Sequence, residues 1–170
     1  MTCQPTLSKA LAAVITIGCV SVSFANETTG SAGITILESL AVTEQAPVDF
    51  GHVHRPSQGS NLLTLSYSGD SVSTNGDGDA LTVDGTSSSG AYLIQGQPDQ
   101  EIQMSVTITD FADPGISLQE AHIDGLTDTA GGFLDNQGAH AAGVGGVVSI
   151  SFDASLGTHS TDVHVTVEYE

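Results

Sequence analysis

Alternation with a period of two dominates the chain and is cleanest near its end. Val163, Val165, Val167 and Tyr169 alternate with Asp162, His164, Thr166, Glu168 and Glu170. Successive side chains of a strand point to opposite faces, so this segment predicts one apolar face and one wet face. Ile102, Met104, Val106 and Ile108 repeat the pattern, with Gln103, Ser105, Thr107 and Thr109 opposite. Further strands are expected over 34–42, 48–53, 62–67, 80–83, 91–94, 116–123 and 147–152. Turn clusters such as Ser68-Gly69-Asp70, Asn75-Gly76-Asp77-Gly78 and Asp84-Gly85 separate them. About eight or nine short, half-buried strands predict an all-β fold, a single antiparallel β-sandwich of immunoglobulin-like form. No stretch has a helical period.

Residues 124–146 break the pattern. They hold seven glycines and little alternation, which predicts a long loop anchored at Phe133 and Leu134.

The first residues read as a secretory signal peptide over 1–25, followed by a single domain over 26–170. Lys9 supplies the positive start, and the apolar run from Ala10 to Val22 is too short to span a bilayer. Ser23-Phe24-Ala25 offers small residues for cleavage before Asn26. Cys3 and Cys19, the only cysteines, fall inside this segment, so the exported chain would rely on its core rather than on disulfides. Thr16-Ile17-Gly18 before Cys19 is a poor match to a lipid-attachment box.

Beyond residue 25 the only cation is Arg55, against all 20 acids. A field of that sign repels phosphate backbones and anionic headgroups, which argues against nucleic-acid and membrane-surface partners. Solubility explains it most simply; capture of divalent cations is the alternative.

Candidate chemistry is sparse. Gly85-Thr86-Ser87-Ser88-Ser89-Gly90 is not a nucleophile elbow, because its last glycine falls one residue late. The absence of tryptophan removes the usual sugar platform and argues against a glycosidase or a lectin. His52 and His54 would share a strand face with the spacing of metal ligands, but no third ligand accompanies them. Asn75-Gly76-Asp77-Gly78-Asp79 begins like a calcium loop, with Asp77, Asp79 and nearby Asp84 as candidate ligands. Ala80 and Thr86 stand where that loop needs its glycine and glutamate, so an acidic turn is the simpler reading. No catalytic residue and no cofactor are expected, calcium being the one exception to test.

From Leu40 to Glu170 the chain resembles a family of bacterial secreted domains catalogued as a domain of unknown function, number four thousand four hundred and two. The pieces that carry the likeness are Val48-Asp49-Phe50-Gly51, Asn61-Leu62-Leu63-Thr64-Leu65 and Ala91-Tyr92-Leu93-Ile94 with Gly96. Val144-Gly145-Gly146-Val147-Val148 and the closing Val163 to Tyr169 complete it. This resemblance implies export and supplies no activity.

The C-terminus is also similar to that of chaperone-usher pilus subunits. Tyr169 is penultimate, and Gly157 is the fourteenth residue counting back from Glu170. That similarity implies an incomplete sandwich whose edge, Val163, Val165, Val167 and Tyr169, receives a strand from a periplasmic chaperone or another copy. Ile34, Ile36, Leu40 and Val42 would be the donor strand, although Glu38 interrupts their face. The expectation is therefore a non-enzymatic structural or interaction protein of the periplasm, cell surface or medium. A secreted calcium-binding or ligand-binding module is the alternative.

Overall fold

The computed structural model describes residues 31, 33–83 and 86–170, and for 81–83 the backbone alone. The predicted signal peptide and Asp84 lie outside the described residues. The chain divides into two units, Met1–Thr35 and Ile36–Glu170, and every strand named below belongs to the second.

In chain order the strands are β1 (Ala41–Ala46), β2 (His52–His54), β3 (Ser60–Leu65), β4 (Val72–Gly76), β5 (Leu81–Val83) and β6 (Gly90–Gln95). There follow β7 (Glu101–Ile108), β8 (Ile116–Ile123), β9 (Leu126–Thr127), β10 (Thr129–Phe133), β11 (Ala139–Ser151) and β12 (Val163–Tyr169). A large sheet runs β1-β6-β11-β3-β4, with β8 also on β11 and β9 on β8. A small sheet runs β10-β7-β12, and β2 and β5 form a separate ribbon. Every pairing is antiparallel.

The two main sheets close on one another as a sandwich. Alternation in β7 buries Ile102, Met104, Val106 and Ile108 against Tyr92 and Ile94 of β6, Ala121 and Ile123 of β8, and Val144 of β11. Leu63 and Leu65 of β3 are fully buried as well. Apolar area removed from water drives this closure, and alternate positions supply it because strand geometry sends every second side chain inward.

The structure corrects the expected strand map in three places. There are twelve described strands rather than eight or nine, because β4, β9 and β10 carry too little alternation to announce themselves. The first strand begins at Ala41 rather than at residue 34, and 48–53 contributes only β2 and a bridge from Asp49 to Ser88. The glycine-rich stretch is not a long loop: it contains β9, β10 and most of β11.

That third difference has a steric cause. Residues Gly146 to Ile150 of β11 pair with β3 and with β8 at once, so those two strands lie along its opposite edges. The chain leaving β3 then crosses β11, where a Cβ on Gly143 would strike the Tyr67 carbonyl oxygen and one on Gly145 the Leu65 carbonyl oxygen. Glycine here makes room for backbone. Asp124, at φ 47, fastens the turn from β8: its Oδ1 accepts the Gly143 N–H at 2.7 Å and its Oδ2 lies 3.0 Å from His140 Nε2.

Three aspartates hold turns in their ionised form. Donation from Ser57 depresses the Asp79 carboxyl, donation from Ser155 and the Gly115 N–H depresses Asp113, and the Ala139 and Gln137 N–H groups depress Asp135. A carboxyl whose folded pKa lies below its unfolded value contributes stability above the unfolded pKa, and that contribution disappears as pH falls through the folded value. Melting temperature is therefore expected to drop steeply below roughly pH 4. Thermal melts across an acid series check this, and Asp113→Asn is expected to flatten the acid limb.

Candidate functional site

The exposed edge of the small sheet is the most distinctive surface. β12 pairs with β7 on one side, from Val163 opposite Ile108 to Tyr169 opposite Ile102, and no described residue pairs with its other side. Two bonds fix the phase of that ladder: Thr109 N–H donates to Asp162 O at 2.9 Å, and Glu170 N–H to Glu101 O at 3.2 Å. Even-numbered residues of β12 thus turn their backbone groups toward β7. Period two then directs the N–H and C=O groups of Val163, Val165 and Val167 toward the open side.

The same odd-numbered residues point their side chains inward. Val163, Val165, Val167 and Tyr169 pack on the main core yet remain only half-buried. Across the opening stands β1, whose Val42 lies opposite core residue Ile94 and is nevertheless 40 % exposed. Glu44 lies opposite Tyr92, and burial together with that carboxylate pushes the Tyr92 phenol up. The inward faces of β12 and β1 are therefore both left partly uncovered. Tyr169 closes one end of the gap, its hydroxyl donating to Glu38 O at 2.7 Å and accepting from Gln97 N–H at 2.8 Å. Gly96 leaves space for that hydroxyl, which a Cβ would strike.

Gly157 sits in the irregular segment before β12 at φ 141, a conformation that favours glycine, and lines a cavity of about 550 Å³ at the other end of the gap. Of the four candidate donor residues, Leu40 packs on the domain's own core and Val42 belongs to β1. Ile34 and Ile36 are 86 % and 83 % exposed.

The candidate calcium turn is occupied by protein. Asp79 receives the Ser57 N–H at 2.5 Å and the Ser57 hydroxyl at 2.7 Å, and Asp77 Oδ1 lies 3.4 Å from the Ser60 amide nitrogen. Buried Asn61 organises the turn: its Nδ2 donates to Asn75 O at 3.3 Å and Gly78 O at 3.2 Å, while its Oδ1 accepts Ala80 N–H at 2.9 Å. His52 and His54 stand exposed on β2. Among the described residues no group of three or more His, Cys, Asp or Glu is placed to hold a metal ion.

One cluster was not singled out from sequence. Asp113, Ser155 and His159 meet, but the hydroxyl of Ser155 donates to Asp113 Oδ2, and His159 Nε2 lies 3.0 Å from the Ser155 carbonyl oxygen. The imidazole therefore does not face the hydroxyl, and the wiring is not that of an acyl-transfer triad. It pins residues 153–159 against Gly115, whose missing Cβ admits the Ala154 backbone.

Fold and site together define an antiparallel β-sandwich in which β12 is an edge strand with half-buried valines. Residues 40–169 match the family model described as a domain of unknown function (DUF4402). The chain belongs to that family. No curated protein and no solved structure matches it.

Proposed function

We infer that this chain is an exported structural or interaction subunit of the cell exterior that takes up an extended partner segment beside β12. The observation that carries this reading is the unpaired side of β12 over half-buried valines, facing an uncovered Val42. A segment laid there would satisfy backbone groups and complete the core in one step, with its alternate apolar side chains setting register. The exposed pair Ile34 and Ile36 makes a second copy of this chain the first donor to test, in the manner of a fimbria-like assembly. The apolar run near the N-terminus supports export.

Sedimentation of the purified protein over a concentration series tests the reading. Oligomers are expected, and added salt is expected to enlarge them because it screens repulsion between copies carrying a formal charge of −18. Val165→Pro removes an N–H that points to the open side and puts a ring in the path of the incoming strand, without breaking a bond to β7. Association is expected to weaken by roughly tenfold or more, and the melting temperature measured beside it reads the packing that Val165 gives the core. A protein monomeric at every concentration and salt, or a variant that assembles like the parent, overturns the reading.

A further inference from the structure

We propose that the cavity at the Val163 end of the sandwich is a binding site for a single-headed anionic amphiphile, an alkyl or aryl carboxylate, with Arg55 as the headgroup partner. The site lies beside the end of β11 that has left β6 and pairs with β3 and β8. Val148 and Ile150 of β11 are covered there by residues 47–53 and 154–161, with Ile108 of β7 and Val163 of β12 at the border. These covering segments leave about 550 Å³ unfilled, within the size range of small-molecule pockets and far above the voids of a close-packed interior.

The lining sorts by chemistry. Phe50, Phe111, Ile116, Val148 and Ile150 supply apolar surface, and Leu156, 78 % exposed, stands at the rim. Arg55 lines the same cavity, and its Nη1 donates to the Ala154 carbonyl oxygen at 3.0 Å. The three ion pairs among the described residues all use histidine, and Arg55 takes part in none of them. In a chain with 20 acids, an arginine that pairs with none of the described ones while bordering an apolar hollow keeps its charge and most of its five donors for something else. Asp49 also lines the cavity, its Oδ1 engaged by the Gly51 N–H at 2.8 Å. That carboxylate and the acidic field disfavour dianions such as phosphate monoesters. A ligand with one negative charge and an apolar tail satisfies both halves of the lining. This inference does not depend on strand uptake, since the cavity meets β12 only at Val163.

Calorimetric titration of the purified protein with decanoate, and separately with decanol, tests it. Decanoate is expected to bind roughly tenfold tighter than decanol, the difference being a charge-assisted hydrogen bond. Arg55→Gln is expected to erase that preference by bringing decanoate down to the affinity of decanol. Ile150→Trp, which fills the hollow, is expected to abolish both, with circular dichroism confirming a sheet. No binding of decanoate, equal affinity for acid and alcohol, or a preference that survives Arg55→Gln overturns the proposal. These outcomes stand apart from the oligomeric state, which reads β12 alone.

Discussion

Replacing Gly145 with valine is expected to remove about 3 kcal/mol or more of stability, whereas the same change at Gly131 is expected to be nearly neutral. Both glycines lie in one glycine-rich stretch and both sit in strands, so composition and propensity do not separate them. Their surroundings do. Gly145 is buried where the chain leaving β3 crosses β11, and a Cβ there would overlap the Leu65 carbonyl oxygen and the backbone of Ser66 and Tyr67. Backbone locked into the β3 ladder has no rotamer to swing away, so relief requires separating β3 from β11. Overpacking in a tight core costs about 1–3 kcal/mol, and a clash with backbone belongs at or beyond the top of that range. A domain of this size has on the order of 5–15 kcal/mol in total. A Cβ on Gly131 meets nothing, the site is exposed, and valine suits a strand better than glycine. Denaturant melts of the two variants check the contrast; equal losses would mean that close approach is not what the glycines provide.

The second large effect is expected at Asn61. Asn61→Leu keeps the branched shape of the side chain, in a larger volume, but strands the Ala80 N–H and the carbonyls of Asn75 and Gly78, which the amide now satisfies. Each buried group left without a partner costs roughly 1–3 kcal/mol, and water reaching the turn would recover part of that. A net loss of about 3 kcal/mol is expected, measured by urea unfolding. Asn61→Asp separates the two roles, because it retains the acceptor for Ala80 and loses both donors. It also buries a carboxylate against those two carbonyl oxygens, so a loss at least as large as that of Asn61→Leu is expected.

Asn61 also illustrates what is legible in the sequence. It occupies the same inward phase of β3 as Leu63 and Leu65, so the alternation of the chain alone marks a polar residue at an apolar position. Its partners carry no such mark, since they come from a turn whose carboxylates suggest an ion. β7 and β12 are readable because each has one buried and one wet face, which is what period two reports. β11 is readable only at its valine-rich end, since flanking strands and a crossing backbone require small residues there in place of alternating large ones. β1 fails for the opposite reason: nothing covers it, so five of its six residues are exposed and its start carries no signal. The open edge is legible as a row of valines and a penultimate tyrosine. The cavity is not, because its lining comes from segments far apart in the chain, a juxtaposition no local pattern encodes.

The pairing of β12 with β7 carries a kinetic consequence. Ile108 must find Val163, and Ile102 must find Tyr169, across an intervening stretch that includes β8 through β11. Loop-closure entropy is spent before those contacts return anything, so the small sheet is expected to zip late, on a timescale of milliseconds to seconds. Until then β7 presents a bare apolar ladder to any passing strand. The fold therefore reaches its final shape only after two strands far apart in the chain have met.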